Sequence, residues 1–565
     1  MQKRKKTLFA AGIGAMAVIL AAIAFQYGRD KGYFSFYREG AVLPVIREGK
    51  TDQIEKSDDR KKQLMMYVSD TTGLYNPAFV QTSGDQAVSS LIFQPLMEEA
   101  MEGGMKAVLA DEVSVSEDGL MYQVMLKGNR KFSDGTVVSA DDVIASVAAE
   151  MLLHGEEEDS PYGRIKGYEQ FVQDQREFPS GLRKLGDREV IIEFTQADPD
   201  NRKVLLTEIQ KAVFTENMED GQFKSRLDAI CRKGIGSGPY CLRDGEATAS
   251  TVSEGVRLVR NDQYDRKFGD IEEIVVNTSA SYYLEESIAS GEIDTASWTG
   301  DSMAFQAFYE AERYTVYEKP GENVYGLFFN PDQTVFQNDQ VRKAMAAALN
   351  RNAVINEKLS RYISMKDSFA LNQVSVYDPE NGKEQAKKGL EQAVSLMKTA
   401  KQQLGIEEDI QLKLPVISGN EIQEELASHV KELLDQCGFQ VTVEAMDQGS
   451  YMNTLFLTED YDILLSSCTI NGDYRTFDSL YRGTGVCQMY MTENQEQALG
   501  ELAVTYDPDE YGKAVKKLTD AMDQDIPFIL LGSNKYYLAV SADLSGYAIS
   551  PELLFFEDAS RIKVD

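Results

Sequence analysis

Short apolar runs recur along the chain, and longer segments repeat their apolar positions with a helical period. The short apolar runs predict strands, and the segments with a helical period predict amphipathic helices. The predicted strands are Leu64–Val68, Met121–Leu126, Glu189–Phe194, Phe439–Val443 and Tyr461–Leu465. The predicted helices include Asp85–Phe93, a segment through Val341 and Ala348, and Glu421–Leu434. Strands and helices are therefore both expected along the whole chain.

The stretch Phe132–Ser146 predicts the end of a strand, a tight turn and the start of a helix. Asp134-Gly135 is a strong turn dipeptide, because glycine tolerates positive φ. Ser139 is a favourable N-cap residue, and Asp141-Asp142 would lie in the first helical turn, where the helix dipole favours negative charge. Local physics alone predicts an ordinary strand–turn–helix unit here.

The length of the chain predicts more than one lobe, and its charge narrows the range of expected partners. With 565 residues the chain is too long for a single hydrophobic core, so two or three lobes are expected. The formal net charge is −33, which argues against nucleic acid as a partner, because its phosphates would be repelled. Such a charge keeps a surface protein soluble.

The cysteines and histidines give little support for metal binding or catalysis. The five cysteines, at positions 231, 241, 437, 468 and 487, form no CxxC motif, and only two histidines are present. Neither a metal site nor a cofactor is expected. No catalytic set of side chains stands out in the sequence, so an enzyme is not expected either. Cys468 and Cys487 are either joined by a disulfide, which an exported protein permits, or are two separate buried thiols.

The N-terminal segment indicates export. Lys3–Lys6 is positively charged, and Leu8–Phe25 is uninterrupted apolar or small. Positive charge stays on the cytoplasmic side, so the rest of the chain would be extracytoplasmic. The apolar run is long enough to span a membrane, which favours an uncleaved anchor over cleavage after Ala24 and secretion. Residues 26–61 are charged and weakly periodic, as in a tether.

Several motifs resemble those of the family-5 extracellular solute-binding proteins, the peptide, dipeptide and nickel receptors of ABC importers. The string Phe132–Ser146 is similar to that family's signature, with Val137 in place of the usual proline. Gly234–Tyr240 resembles the family's G-T-G-P-Y, and Gly291–Asp294 matches its G-E-I-D. The resemblance extends from about residue 62 to the end of the chain.

The resemblance implies an α/β fold of the type II periplasmic-binding-protein kind, with two lobes around a hinge and one added lobe. Lobe I would be discontinuous, lobe II would be inserted into it, and lobe III would follow. The implied residues are 62–80, 222–322 and 531–565 for lobe I, 81–221 for lobe II, and 323–530 for lobe III. The two chain crossings near 322 and 530 would then form the hinge.

The resemblance also implies a ligand site. In peptide-binding relatives an aspartate in a W-x-x-D segment holds the ammonium group of the peptide. The corresponding segment here is Ser467–Tyr474, in which either Asn471 or Asp473 falls near the aspartate position, and Asp473 is the better candidate. Trp298, the only tryptophan, follows Gly291–Asp294 and is a second candidate for contact with the solute. No metal ligand is implied.

The implied partners are a peptide or similar small solute and the permease subunits of an ABC importer. A monomer attached to the cytoplasmic membrane through its N-terminal helix is expected, with no nucleic acid bound. The stretch Leu414–Asn420 has no cation for a dipeptide carboxylate, which leaves longer peptides or another solute open. The alternative is a sensory or surface-binding protein that reuses the fold without a dedicated permease.

Overall fold

Two long neighbouring strands, Tyr314–Phe329 and Ile529–Ser541, run through the centre of the computed structural model. They pair in antiparallel fashion from Tyr314 opposite Ser541 to Leu327 opposite Ile529. Strand Thr295–Thr299 pairs with one end of this strand pair, and strand Ile463–Thr469 pairs with the other end. The pair is therefore shared by two regions of the fold.

The structure describes the chain except for residues 1–44, 52–55, 69, 100–103, 158, 216–217, 248–254, 278–283, 300–303, 357, 367, 372–378, 484–488, 548, 550–555 and 557–558. In chain order the strands are β1 Val45–Arg47, β2 Gln63–Tyr67, β3 Gln94–Pro95, β4 Met97–Glu99, β5 Met105–Ala107, β6 Ala110–Val115, β7 Met121–Leu126, β8 Leu182–Gly186, β9 Glu189–Glu193, β10 Glu208–Ile209, β11 Tyr240–Leu242, β12 Val256–Arg260, β13 Glu273–Asn277, β14 Thr295–Thr299, β15 Tyr314–Phe329, β16 Ile363–Met365, β17 Ile410–Ile417, β18 Phe439–Met446, β19 Ile463–Thr469, β20 Ile529–Ser541, β21 Leu544–Ser545 and β22 Lys563–Val564. The α-helices are α1 Ser83–Ile92, α2 Ala140–His154, α3 Tyr168–Asp174, α4 Phe223–Asp228, α5 Leu284–Ser290, α6 Ala304–Glu310, α7 Asp339–Ala348, α8 Arg351–Val354, α9 Pro379–Leu404, α10 Glu421–Leu434, α11 Gln448–Asn453, α12 Tyr474–Arg482, α13 Glu493–Leu502 and α14 Pro508–Asp525.

The largest sheet has the strand order β1-β15-β20-β14-β2-β13-β12-β11, so β2 lies inside it. The predicted strand Leu64–Val68 is β2, which pairs in parallel with β13 and with β14. Its residues Leu64 and Met66 are almost completely buried. Residues of β2 contribute to two cores, and a strand that is covered on both faces needs such an apolar run. The predicted mixed α/β class is confirmed.

The chain before β2 is attached to this sheet. Val45 of β1 lies opposite Tyr317 of β15, and Arg47 donates from one guanidinium nitrogen to the carbonyls of Phe308, Ala311 and Tyr314. A little further on, the ammonium of Lys56 lies 2.8 Å from Asp294 and 2.7 Å from Asp543. The sequence predicts a tether over residues 26–61, but the described part of this segment packs on the sheet.

A second core belongs to the residues assigned to lobe II. The antiparallel sheet β6-β7-β9-β8 packs against α2, whose predicted N-cap at Ser139 is confirmed. The turn before it is confirmed as well: Gly135 has φ of 87°, and Asp134 accepts from the amide of Thr136 at 3.0 Å. Helix α1, by contrast, packs into the core of the β2 sheet although its residues fall within the range 81–221.

The residues assigned to lobe III pack around the far halves of the two long strands. Strand β19 pairs with β15, from Phe329 opposite Ile463 to Asn323 opposite Thr469. Strands β17 and β18 pair in parallel, and the helices pack on both sides of these strands in two cores. The predicted helix Glu421–Leu434 is confirmed as α10, while the predicted strand Tyr461–Leu465 begins later and runs on to Thr469.

Both strands cross between lobes I and III side by side. The regular pairing of β15 with β20 is interrupted between Pro320, opposite Lys535, and Val324, opposite Ser533. Proline cannot donate to a ladder, so it is tolerated at such an irregularity. The interruption includes the position near 322 that the resemblance implies for the first crossing, and on β20 it falls at 533–535, so the lobe boundaries near 322 and 530 stay a prediction.

Within the described residues, no helix is both long and apolar enough to cross a membrane. The segment Leu8–Phe25, for which the sequence predicts an anchor, lies outside the described part of the chain.

Candidate functional site

The candidate ligand segment forms a tight turn between β19 and α12. Asn471 accepts from the amide of Asp473 at 3.1 Å, and its own amide donates to Asp473 Oδ2 at 2.8 Å. Gly472 between them has φ of 86°, where an L side chain would be strained, and a Cβ there would meet Leu371 at 2.7 Å. The two alternative site residues are therefore brought together in one turn.

The turn faces a short 3-10 helix of lobe II, Pro199–Leu206. Asp198 is its N-cap and accepts from the amide of Asp200 at 2.9 Å, and Pro199 fixes the backbone of the first turn. As a result, the charged side chains between Asp198 and Lys203 contact residues 473–475.

Two cations of this helix bind Asp473. Arg202 Nη2 lies 3.1 Å from Asp473 Oδ1, and Lys203 Nζ lies 2.5 Å from Oδ2. Arg202 also contacts Glu99 at 3.1 Å, and its guanidinium lies 4.0 Å from the ring centre of Tyr511. The side chain of Arg202 is only 2% exposed, whereas that of Lys203 is 33% exposed. Both carboxylate oxygens of Asp473 thus have cationic partners in lobe II.

The acidic residues of the same helix bind the start of α12. The Asp200 carboxylate accepts from the amide of Tyr474 at 3.3 Å and from that of Arg475 at 3.1 Å. These amides lack intrahelical partners, and the helix dipole favours an anion there. Asp473 occupies the N-cap position without a side-chain cap, so Asp200 from the other lobe takes over that role. Arg475 also bonds to Asp198 at 2.9 and 2.5 Å.

Burial dominates the electrostatics of this cluster. It raises the pKa of Asp473, and the nearby Lys203 and Arg202 oppose that shift without cancelling it. Burial likewise raises the pKa of Glu322, which lies where the pairing of β15 is interrupted. The negative charges of Asp473 and Glu99 raise this pKa further. Burial disfavours the charge on Arg202, but Tyr511 and the surrounding carboxylates outweigh it and raise that pKa. The cluster thus joins residues assigned to lobe II with residues assigned to lobe III, and its carboxylates also act on Glu322 in β15.

Trp298 lies in β14, and its backbone pairs with Tyr537 of β20. Tyr537 is two residues from Lys535, which lies opposite Pro320 at the crossing. The backbone of Trp298 thus lies close to the interruption in the pairing of β15 with β20. Its side chain is outside the described part of the structure, so its predicted contact with the solute stays a prediction.

The disulfide hypothesis also stays open. Cys468 is buried in β19 opposite Val324, next to the candidate turn. Cys487 falls outside the described residues.

A groove elsewhere in the described residues is a weaker candidate for a ligand site. A groove of about 620 Å³ in lobe III is lined by Met397, Lys401, Cys437 and neighbouring residues. It lies where β17 and β18 begin, whereas ligands of α/β proteins bind beyond the carboxyl ends of strands. In the part of the chain that the structure describes, no group of three or more His, Cys, Asp or Glu side chains is placed to hold a metal ion.

The sequence did not reveal the lobe II half of the cluster. The run Asp198–Lys203 holds two acidic residues followed by two basic ones, which is a visible signal of an ionic surface. Its partners, however, are about 270 residues away, and no local pattern connects them. Glu99, Glu322, Arg475 and Tyr511 carried no signal that distinguishes them from other residues of their types.

Comparison with known proteins gives a family. Residues 104–487 match the family model described as bacterial extracellular solute-binding proteins, family 5 middle. The oligopeptide-binding protein AppA of Bacillus subtilis is 21% identical over 509 residues, with 85% of this chain and 87% of AppA covered. The peptide transport periplasmic protein SapA of Salmonella typhimurium is 21% identical over 535 residues, with 88% and 92% covered.

Solved structures share the fold. The periplasmic murein tripeptide-binding protein MppA in its unliganded open form aligns with a TM-score of 0.67 at 17% identity, covering 89% of this chain and 97% of MppA. The substrate-binding protein CtaP of Listeria monocytogenes aligns with a TM-score of 0.59 at 20% identity, covering 89% and 99%. Since the family model matches well over half of the sequence, this chain belongs to the family-5 bacterial extracellular solute-binding proteins.

Proposed function

We propose that the chain is the extracytoplasmic receptor of an ABC importer and captures peptides or peptide-like solutes between its lobes. The observation that carries the proposal is the family match over residues 104–487 together with the named peptide-binding relatives AppA and SapA. The buried acidic turn at Asn471 and Asp473, at the junction of lobes II and III, suits the ammonium end of such a ligand.

The strand crossing supplies the mechanism of capture. Lobes I and III are joined by β15 and β20, whose pairing is interrupted at Pro320–Val324. A solute that contacts both lobes binds the closed arrangement better than the open one, so it shifts the population toward closure. The closed form would then be the one that docks on the permease.

The direct test identifies what the protein binds. Protein purified without denaturation is examined by native mass spectrometry, before and after incubation with a pool of synthetic peptides of two to nine residues. The expected result is a set of complexes whose extra masses match peptides. A protein that retains no peptide from the pool, while it retains an unrelated solute from the cells, would contradict the peptide proposal.

We further propose that Leu8–Phe25 keeps the receptor at the outer face of the cytoplasmic membrane, as a monomer. The proposal rests on the length of the apolar run and the positive charge before it. Membrane fractionation of cells that produce the full chain, with mass determination of the N-terminal peptide, tests it. Recovery of a soluble form that begins at Phe25 would favour the cleaved alternative.

A further inference from the structure

Asp473 has no vacant oxygen in this arrangement of the lobes. Its Oδ1 accepts from Arg202, and its Oδ2 accepts from Lys203 at 2.5 Å and from the Asn471 amide at 2.8 Å. An ionised carboxylate has about four lone-pair positions, and a buried ammonium needs at least one of them at close range. The three donors take three of these four positions, and the side chain of Asp473 is only 11% exposed, so a ligand ammonium that binds where Lys203 now lies must displace it.

The two cations differ in their freedom to move. Arg202 is held by Glu99 as well as by Asp473, it stacks on Tyr511, and it is almost completely buried. Removing it from its site would leave a buried charge without compensation. Lys203 is one third exposed, carries its charge on a flexible four-carbon chain, and can turn toward water. Lys203 is thus the donor that can leave.

We propose that Lys203 occupies the ammonium position at Asp473 and that an incoming ligand ammonium displaces it. This inference rests on the proposed function, because it assumes that Asp473 receives the ligand. The exchange replaces one ammonium by another, so the charge next to Asp473 is unchanged. Lys203 is a tethered competitor with a high effective concentration, and it lowers the affinity for every ligand that uses this position.

The proposal has a consequence for ligand selection. A solute without a cationic end gains nothing from displacing Lys203, and it leaves the contact between lobes II and III intact. A solute with a free amino group must outcompete Lys203, so its remaining contacts have to be extensive. The receptor would therefore discriminate against small free amines and accept longer peptides.

The test compares Lys203→Gln and Lys203→Arg with the wild type. The probe is the pool of peptides of two to nine residues, prepared once with free amino termini and once N-acetylated, and bound peptides are quantified by native mass spectrometry. Lys203→Gln removes the competitor and should raise the affinity for free-amine peptides roughly fivefold or more, with no gain for the acetylated pool. Lys203→Arg should weaken binding, because a guanidinium can grip the carboxylate with two donors.

Lys211→Gln is the matched control, since Lys211 makes an ion pair with Asp134 in the same lobe but away from the turn. Wild-type binding without any gain in Lys203→Gln would overturn the inference and leave the proposed function standing. An equal gain for both peptide pools would also overturn it, because competition with an ammonium predicts a difference. If no variant and no wild-type protein bound any peptide, the proposed function itself would fail, and the inference with it.

Discussion

The ammonium of Lys535 donates to the carboxylate of Glu318 at 2.9 Å, directly beside the point where β15 and β20 leave lobe I. The two side chains are 4% and 12% exposed, and Lys535 also donates to the carbonyl of Ser360 at 2.6 Å. Ser364 of β16 donates to the same glutamate. Through these contacts the ion pair joins the interrupted part of the β15–β20 ladder to the segment that contains Ser360 and Ser364.

Lys535→Met is expected to lower the free energy of unfolding by roughly 3 kcal/mol, because Glu318 would remain as a buried charge without its cation. The double variant Glu318→Gln, Lys535→Met should recover much of the loss, since no charge is then left unpaired. Urea denaturation of the ligand-free protein measures both effects. Lys358→Met, which removes an exposed cation of lobe III, is the control and should change little. Equal losses in the single and double variants would show that the pair is not the cause.

Asp473→Asn should have two effects. Ligand binding is expected to weaken more than roughly tenfold, because a desolvated ammonium loses its charged partner. From the sequence alone the unliganded stability would be expected to stay the same. The ion pairs with Arg202 and Lys203 predict instead a loss of roughly 3 kcal/mol, since the buried Arg202 keeps only Glu99.

Asp478→Asn is the matched control for this prediction, because Asp478 lies on the same helix α12 and makes a half-exposed pair with Arg482. Its cost should stay within about 1 kcal/mol. Calorimetric titration and urea denaturation of both variants give the comparison. Wild-type affinity in Asp473→Asn would remove Asp473 from the ligand site.

Glu208 in β10 should make the stability of lobe II depend on pH. Burial raises its pKa to about 7, and hydrogen bonds from Ser89 and Gln86 oppose that shift while Glu150 and Glu98 add to it. In the unfolded chain the carboxyl ionises near its ordinary pKa of about 4.3. The unfolded state therefore binds fewer protons between these values, and the contribution of Glu208 to stability falls as the pH rises from about 4.5 to 7.

Glu208→Gln removes this titration. The variant should match the wild type at pH 4 and exceed it by roughly 3 kcal/mol above pH 7, which for a lobe of this size is a rise on the order of 10 °C in the thermal midpoint. Differential scanning calorimetry at a series of pH values follows the difference. Glu169→Gln, at an exposed position of α3, serves as the reference. A constant difference across the pH range would refute the assignment.

Trp298 should report ligand binding. It is the only tryptophan, and its backbone lies two residues along the ladder from the crossing residue Lys535. Closure around a peptide should therefore shift its emission and reduce its quenching by acrylamide, and Trp298→Ala should bind more weakly. If a peptide retained in native mass spectrometry leaves both signals unchanged, Trp298 is not part of the site.

The periodicity of apolar residues was sufficient to predict the bounds of elements that bury a single face. The helix Glu421–Leu434 and the strand Met121–Leu126 have the bounds that the sequence predicts, because each buries a regular stripe or face against one core. Strand β15 is different. It contains Pro320 and Gly321, residues typical of turns, and yet runs on for 16 residues because it passes from one lobe to the next. Only the partner strand β20 accounts for that continuity.

The candidate site likewise has a part that the sequence predicts and a part that it does not. Motif similarity placed Asn471 and Asp473 in one short segment, and the structure joins them in a turn. The cations around Asp473 could not be predicted, because they come from a helix some 270 residues earlier in the chain. A buried carboxylate must be paired, but the sequence does not say with which cation.

The side-by-side crossing of β15 and β20 restricts how the lobes can turn. Two connections at distant points would fix the lobes against each other, while a single one would let them swivel in all directions. A hydrogen-bonded ribbon of two strands lies between these cases: it resists stretching and in-plane bending, and it yields where the ladder is interrupted at Pro320–Val324. We therefore expect any rotation between the residues assigned to lobes I and III to be close to a motion along one coordinate. One pair of spin labels, one in each lobe, would be enough to follow it.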